Sequence, residues 1–303
     1  MRQARSILSG LRLPEADAHD LPGSAKRFAD GGQYRIEIPS VEGPRALEAV
    51  VAAAAEHAVG VHRISQGSGI MLLTDAEISA MLALGRAQGI EVCLFVGPRA
   101  SWDVGVQAAS TNGRVLGASL RGADQLAYGI EDVLRASALG VRSVLVGDVG
   151  HLMVLGRMKA KGDLPSDFVL KTSITLPAAN PATARVLEDL GATSVNLPVD
   201  LSLAQIAAVR QAIDVAIDFY VESPDDFGGA VRHYEIPELV RVAAPIYLKF
   251  GLRNAPGLYP SGQHLEAAVL ALSRERVRRA AIGLGILRRY APGAVASPLG
   301  PSR

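Results

Sequence analysis

The stretch PIYLKFGLRN, residues 245–254, decides how the chain is read. It has the aliphatic and aromatic character of a buried strand, yet it carries Lys249 and Arg253, and charged side chains are rarely buried without partners. Alternate side chains along a strand point to opposite faces, so Tyr247, Lys249, Gly251 and Arg253 share one face and Leu248, Phe250 and Leu252 the other. In a closed barrel the apolar face packs on helices while the polar one lines the interior near the C-terminal mouth, where barrel enzymes build their sites.

Seven further runs of the same kind precede it: YRIEIP (34–39), GVHRIS (60–65), EVCLFVG (91–97), SVLVGD (143–148), FVLKTSI (168–174), SVNLPV (194–199) and IDFYVE (217–222). Between them lie segments of helical period, among them PRALEAVVAAAAEHA (44–58), TDAEISAMLALGRAQ (74–88) and NPATARVLEDLG (180–191). Thr74 reads as an N-cap with Glu77 three residues on. Eight near-continuous apolar strands alternating with helices predict a parallel (β/α)8 TIM barrel in a single domain. An open doubly wound sheet is the alternative, weakened because no Gly-rich dinucleotide loop follows the first strand. The barrel is placed at 31–290, after an N-terminal extension (1–30) and before a flexible tail (291–303); residues 1–22 are also expected to lack order. KRFADGGQYRIEIP (26–39) reads as a strand, a turn and the first barrel strand, plugging the bottom. An insertion between strands 3 and 4, STNGRVLGASLRGADQ (110–125), is read as a turn and a short strand at the mouth.

Lys plus Arg number 31 against 30 for Asp plus Glu, which gives no global attraction to a polyanion, and no nucleic-acid partner is expected. No apolar run reaches the length of about 18 residues that a membrane span requires, and the N-terminus lacks an export-like apolar core, so a cytoplasmic protein is expected. The single cysteine, Cys93, sits in EVCLFV and reads as a packed core thiol.

Taking the inward face of each strand and the residues just past its end collects a polar set. Glu37, early on its strand, reads as structural. Arg99 follows the third strand, Asp148 ends the fourth, Lys171 and Ser173 share the fifth, Asn196 and Asp200 the sixth, and Asp218, Tyr220 and Glu222 the seventh. The proposed catalytic set is Asp148, Lys171, Asp200, Glu222 and Lys249; the substrate-binding set is Arg99, Arg121, Ser173, Asn196, Tyr220 and Arg253. Cations suit a carboxylate or phosphate, and the carboxylates can move protons. The same residues can also be internal ion pairs that fill a barrel. Asp148, His151 and Glu222 leave a divalent metal open, although no cofactor is predicted. The run SRERVRRA (273–280) reads as the solvated face of the last helix.

Taken as motifs, VRSVLVGDVGHLMVL (141–155), KTSITLPAANPATARVLEDLGATSVNLPVDLSLAQI (171–206) and IYLKFGLR (246–253) resemble the peptidase U32 family, with the likeness running from about residue 34 to 257. The matching positions are Asp148 and Gly150, Ser173, the step Asp200-Leu201-Ser202, and Lys249 with Arg253. The resemblance implies a TIM barrel and a peptidase or other hydrolase. It departs where the family has a His-Gly and a cysteine-containing segment, here Glu222-Ser223 and PDDFGGAVRHY, and where the family's glutamate on the eighth strand is Gly251. Members that hydroxylate ubiquinone precursors or RNA carry an iron–sulfur cluster on four cysteines, which one cysteine cannot supply. The expectation is an enzyme acting on a small anionic, amide-containing or peptide-like substrate. A lysine Schiff-base or metal-dependent lyase and a non-catalytic ligand-binding barrel are the alternatives, and the oligomeric state stays open.

Overall fold

The computed structural model describes residues 2–10, 20–176 and 178–300. Its eight strands are β1 Tyr34–Pro39, β2 Arg63–Gln66, β3 Glu91–Phe95, β4 Ser143–Val146, β5 Val169–Thr172, β6 Ser194–Asn196, β7 Ala216–Glu222 and β8 Ile246–Phe250. All pair in parallel in sequence order, and β8 closes on β1 with Glu37 opposite Lys249. The helices are α1 Arg2–Gly10, α2 Pro44–Glu56, α3 Asp75–Gln88, α4 Val106–Ala109, α5 Gly122–Ala138, α6 Val149–Lys161, α7 Pro181–Asp189, α8 Leu203–Ala212, α9 Ile236–Ala243 and α10 Glu266–Tyr290. This is the (β/α)8 barrel that the strand pattern predicts. Among the described residues no helix is long and apolar enough to cross a membrane.

The outward side chains, including Ile36, Ile64, Val144, Leu170, Phe219, Leu248 and Phe250, are buried in one core between sheet and helices. Burying each such side chain contributes about 1.5–3 kcal/mol before chain entropy is counted. Inside the barrel the pattern is asymmetric. Cys93, Phe95 and Leu145 form a small apolar cluster with Ala118 on the β3–β4 side, whereas β1, β2 and β5–β8 present polar or charged groups. Cys93 is the packed thiol expected, and burial pushes its pKa up to about 11. Helix starts follow the sequence signals: Thr74 and Glu77 form the predicted capping box on α3, and Ser202 and Gln205 form another on α8.

Three expectations are corrected. The insertion forms no strand: Leu116, Gly117 and Ser119 donate to Gly113, Arg114 and Leu116 three residues back, so its backbone is satisfied in tight helical turns. Residues 26–28 are irregular rather than extended, but Phe28 does close the bottom, edge-on to Tyr247 at 5.3 Å with the Arg35 guanidinium 4.2 Å over its ring. The tail 291–300 is built into the barrel. Gln33 N–H donates to Val295 O (2.7 Å) and Ser297 N–H to Tyr34 O (3.0 Å), because the start of β1 offers backbone groups that only another chain segment can pair. Of the N-terminal end, residues 2–10 form α1, and 11–19 lie outside the described residues, as do 301–303.

Candidate functional site

The register of β1 places Glu37 opposite Arg63 on one side and Lys249 on the other, so neighbouring strands aim both cations at one carboxylate. Glu37 is fully buried and is the hub of the interior. Lys171 Nζ donates to Glu37 Oε1, and Ser65 Oγ donates to the same oxygen at 2.6 Å. Arg63 Nη1 donates to Asp218 Oδ1 (2.9 Å) and reaches Glu37 Oε2 at 3.4 Å, while its Nε donates to Glu91 Oε1 (2.8 Å). Its guanidinium also stacks 3.6 Å above the Tyr247 ring. Lys171 Nζ is 3.1 Å from Ser65 Oγ and 3.8 Å from Asp218 Oδ1. Burial alone would raise the Glu37 pKa, but Lys171, Lys249 and Arg63 hold it well below the ordinary carboxylate range. Glu37, Asp218 and Glu91 thus face Arg63, Lys171 and Lys249, and the column is formally neutral.

Lys249 caps this column on the mouth side. Its Nζ is 3.7 Å from Glu37 Oε1 and 4.0 Å from the centroid of the Tyr220 ring. With the Asn196 amide turned to satisfy its neighbours, its oxygen accepts from Lys249 Nζ at 2.7 Å and from Ile174 N–H at 3.3 Å, while its nitrogen donates to Asp218 O at 3.2 Å. Burial and the Glu37 charge push the Tyr220 hydroxyl up. Arg99 lies between Phe95 (3.6 Å) and Trp102 (4.0 Å) and donates to Gly67 O; burial lowers its pKa to about 10.

Of the proposed residues, the fold brings together Lys171, Lys249, Asn196 and Tyr220, and the others go elsewhere. Asp148 caps α6, its oxygens accepting from His151 N–H (2.8 Å) and Leu120 N–H (3.2 Å). Ser173 Oγ is spent on the turn at Thr175, 2.9 Å from its hydroxyl. Asp200 and Arg121 are exposed, the latter with its backbone N–H on Gln125. Arg253 is also exposed, with its Nε 3.7 Å from Asp225. Glu222 leaves the inner face because of a register shift: Tyr220 pairs with Lys249, but Glu222 pairs with the outward Phe250. There it meets His233 Nε2 (3.1 Å) and Arg279 (3.6 Å) instead of the lysines. Asp148, His151 and Glu222 therefore do not converge, and among the described residues no three or more His, Cys, Asp or Glu side chains gather as a metal site would.

Glu37, read from the sequence as structural, carries the ion pairs at the centre of the barrel, but Arg63 has no place in that reading. Arg63 is legible in principle, since it alternates with the outward Ile64, but nothing in one strand shows which charge it faces across a barrel. Arg276 and Ser273 were assigned to a solvated face, yet both are buried. Their spacing from Val269, at four and seven residues, is the signal that marks the buried stripe of α10.

The class of protein is therefore a (β/α)8 barrel with a charge-paired interior and a lysine at its C-terminal end. The model of peptidase family U32 matches residues 118–223, so the resemblance read in the sequence is shown on that segment. Among solved structures, a U32 peptidase aligns at 15% identity with TM-score 0.41, covering 69% of this chain and 74% of its own. A Coccidioides immitis protein provisionally assigned as a fructose-1,6-biphosphate aldolase aligns at 10% identity with TM-score 0.52, covering 84% of this chain and 92% of its own. Identities of this size speak to the fold alone. A search of curated proteins gave no match.

Proposed function

We propose that this barrel is an enzyme acting at its C-terminal mouth on a small anionic or amide-containing molecule, with Lys249 as the group that meets the substrate. The observation that carries this reading is the unequal treatment of the two interior lysines. Lys171 gives its protons to Glu37 and Ser65 and lies beside Asp218, so it belongs to the structure. Lys249 has one carboxylate at 3.7 Å, already engaged by Lys171, and otherwise an amide and an aromatic face. A substrate oxygen above it would gain a charge-assisted hydrogen bond in a site of low dielectric.

For the hydrolase that the family resemblance suggests, Lys249 would polarise the scissile carbonyl and Tyr220 would supply a proton to the leaving group. Asn196 orients the lysine in either case. A lyase reading is favoured by the same apolar and amide surroundings: the amine of Lys249 adds to a ketone, water leaves, and the resulting imine draws electrons from the adjacent bond.

The test is incubation with a panel of 2-oxo acids and borohydride, read by intact mass and peptide mapping. The lyase reading predicts a reduced adduct on Lys249 that Lys249→Met lacks. The hydrolase reading predicts no adduct but saturable binding of carboxylates or amides that Lys249→Met loses. Neither adduct nor binding, or an adduct on Lys171, would overturn the proposal.

A further inference from the structure

A cavity of about 740 Å³ opens at the bottom of the barrel, at the opposite end from Lys249. It is walled by the starts of β1 to β5, with Arg35, His62, Glu91, Ser143 and Val169 in turn, and Pro298 and Gly300 of the tail border it. His62 fixes the tail there. Ile36 N–H donates to its Nδ1 (3.0 Å), so Nε2 carries the ring proton and donates it to Ser297 O (2.8 Å). Small-molecule sites occupy about 300–1,000 Å³, so the space is of ligand size.

Two of the cations that line it, Arg86 and Arg142, gather on the turn between α5 and β4. Arg142 Nη1 donates to Ser137 O (3.2 Å) and Val141 O (2.9 Å), and Arg86 Nη1 stands 3.9 Å from the point that a Cβ on Gly140 would occupy. Neither has a carboxylate within ion-pair distance among the described residues, and two of the cavity's three carboxylates are taken by other groups. Asp30 accepts from Arg35 (2.8 Å), Gly32 N–H (2.9 Å) and Ser297 Oγ (2.9 Å), and Glu91 from Arg63 (2.8 Å) and Ser143 Oγ (2.6 Å). The third, Asp167, is exposed, and its charge acts on Lys159. Like charges held on one turn repel, whereas an anion between them gains a charge-assisted hydrogen bond from each.

We propose that Arg86 and Arg142 hold the phosphate of a small phosphate monoester whose apolar body lies along Leu82 and Val92 in this cavity. The charge decides for phosphate: a monoester carries about −1.5 to −2 at pH 7 and so matches two guanidiniums, where a carboxylate would match one. The aliphatic side chains of Leu82 and Val92 supply the apolar wall, and the tail closes the space beside them. Barrel chemistry belongs to the C-terminal mouth, so this is a binding site and does not depend on what Lys249 does.

The test is calorimetric titration of the full chain with inorganic phosphate and with phenyl phosphate, at constant ionic strength. At least one should bind saturably. Tighter binding of phenyl phosphate identifies a monoester with an apolar body, and equal binding identifies the phosphate group alone as what is recognised. Arg86→Gln should weaken the affinity at least about tenfold, as loss of a charge-assisted bond predicts, and Arg86→Glu should abolish binding. Arg86 is exposed and its side chain makes no hydrogen bond among the described residues, so both variants should keep the wild-type Tm. Lys249→Met should bind phosphate as the wild type does, which separates this site from the mouth. No saturable binding to the wild type, an unchanged affinity in Arg86→Gln, or binding lost in Lys249→Met would overturn the proposal.

Discussion

Glu37→Ala is expected to destabilise the barrel by about 3–5 kcal/mol, the cost of leaving buried charges without their partner. The substitution removes the acceptor of Lys171 and Ser65 and the nearest carboxylate of Lys249, and it strips Arg63 of one contact. Urea unfolding followed by circular dichroism measures it. The pH dependence has a definite sign. The folded-state pKa of Glu37 is depressed from its ordinary value of 4.5, so its stabilising contribution is complete above that value and is lost as the pH falls towards the folded one. The wild type should therefore lose stability below about pH 4, and Glu37→Gln should flatten that limb by up to roughly 1.4 kcal/mol per pH unit, the value of one proton. An unchanged urea midpoint in Glu37→Ala would mean that the interior charges are not one unit.

Arg63→Ala should cost a similar amount, about 3–5 kcal/mol, because it leaves Asp218 and Glu91 facing each other in the barrel without the guanidinium between them. Arg63→Lys should recover little. Nε and Nη1 reach Glu91 and Asp218 from one plane, and the same plane lies on Tyr247; an ammonium offers neither the fork nor the stacking face. Glu37 and Arg63 share one network, so their double variant should lose less than the sum of the singles. Urea midpoints of the four proteins test both statements. A lysine variant as stable as the wild type would show that charge alone suffices.

All eight strands were legible because a strand buried on both faces has to be apolar outside, and Leu248 and Phe250 or Ile36 and Ile38 betray the pleat whatever lies between them. The interior was legible only in part. Alternation identified Lys171, Lys249, Asn196 and Tyr220 and gave Glu37 a structural place, but whether a given carboxylate faces a given lysine depends on the stagger around a closed barrel, so the pairing of Glu37 with both lysines was not legible. Glu222 shows the limit of the pleat argument, since one irregular residue in β7 sends it to the outer face beside Phe250. Asp148 was chosen for its place at a strand end, but a carboxylate just before a helix has a nearer use on the helix's own N–H groups. Arg276 was hidden by its company, in a run whose other arginines are solvated while its own position faces inward.

The proposed division of labour gives Lys171 to the barrel and Lys249 to the ligand. Its most direct test compares Lys171→Met with Lys249→Met by urea unfolding and by binding of a carboxylate or 2-oxo acid. Lys171→Met is expected to lose about 3 kcal/mol or more, whereas Lys249→Met stays within about 1 kcal/mol of the wild type but no longer binds or forms the adduct. A Lys249→Met protein that binds as the wild type does, or is destabilised as much as Lys171→Met, would contradict it.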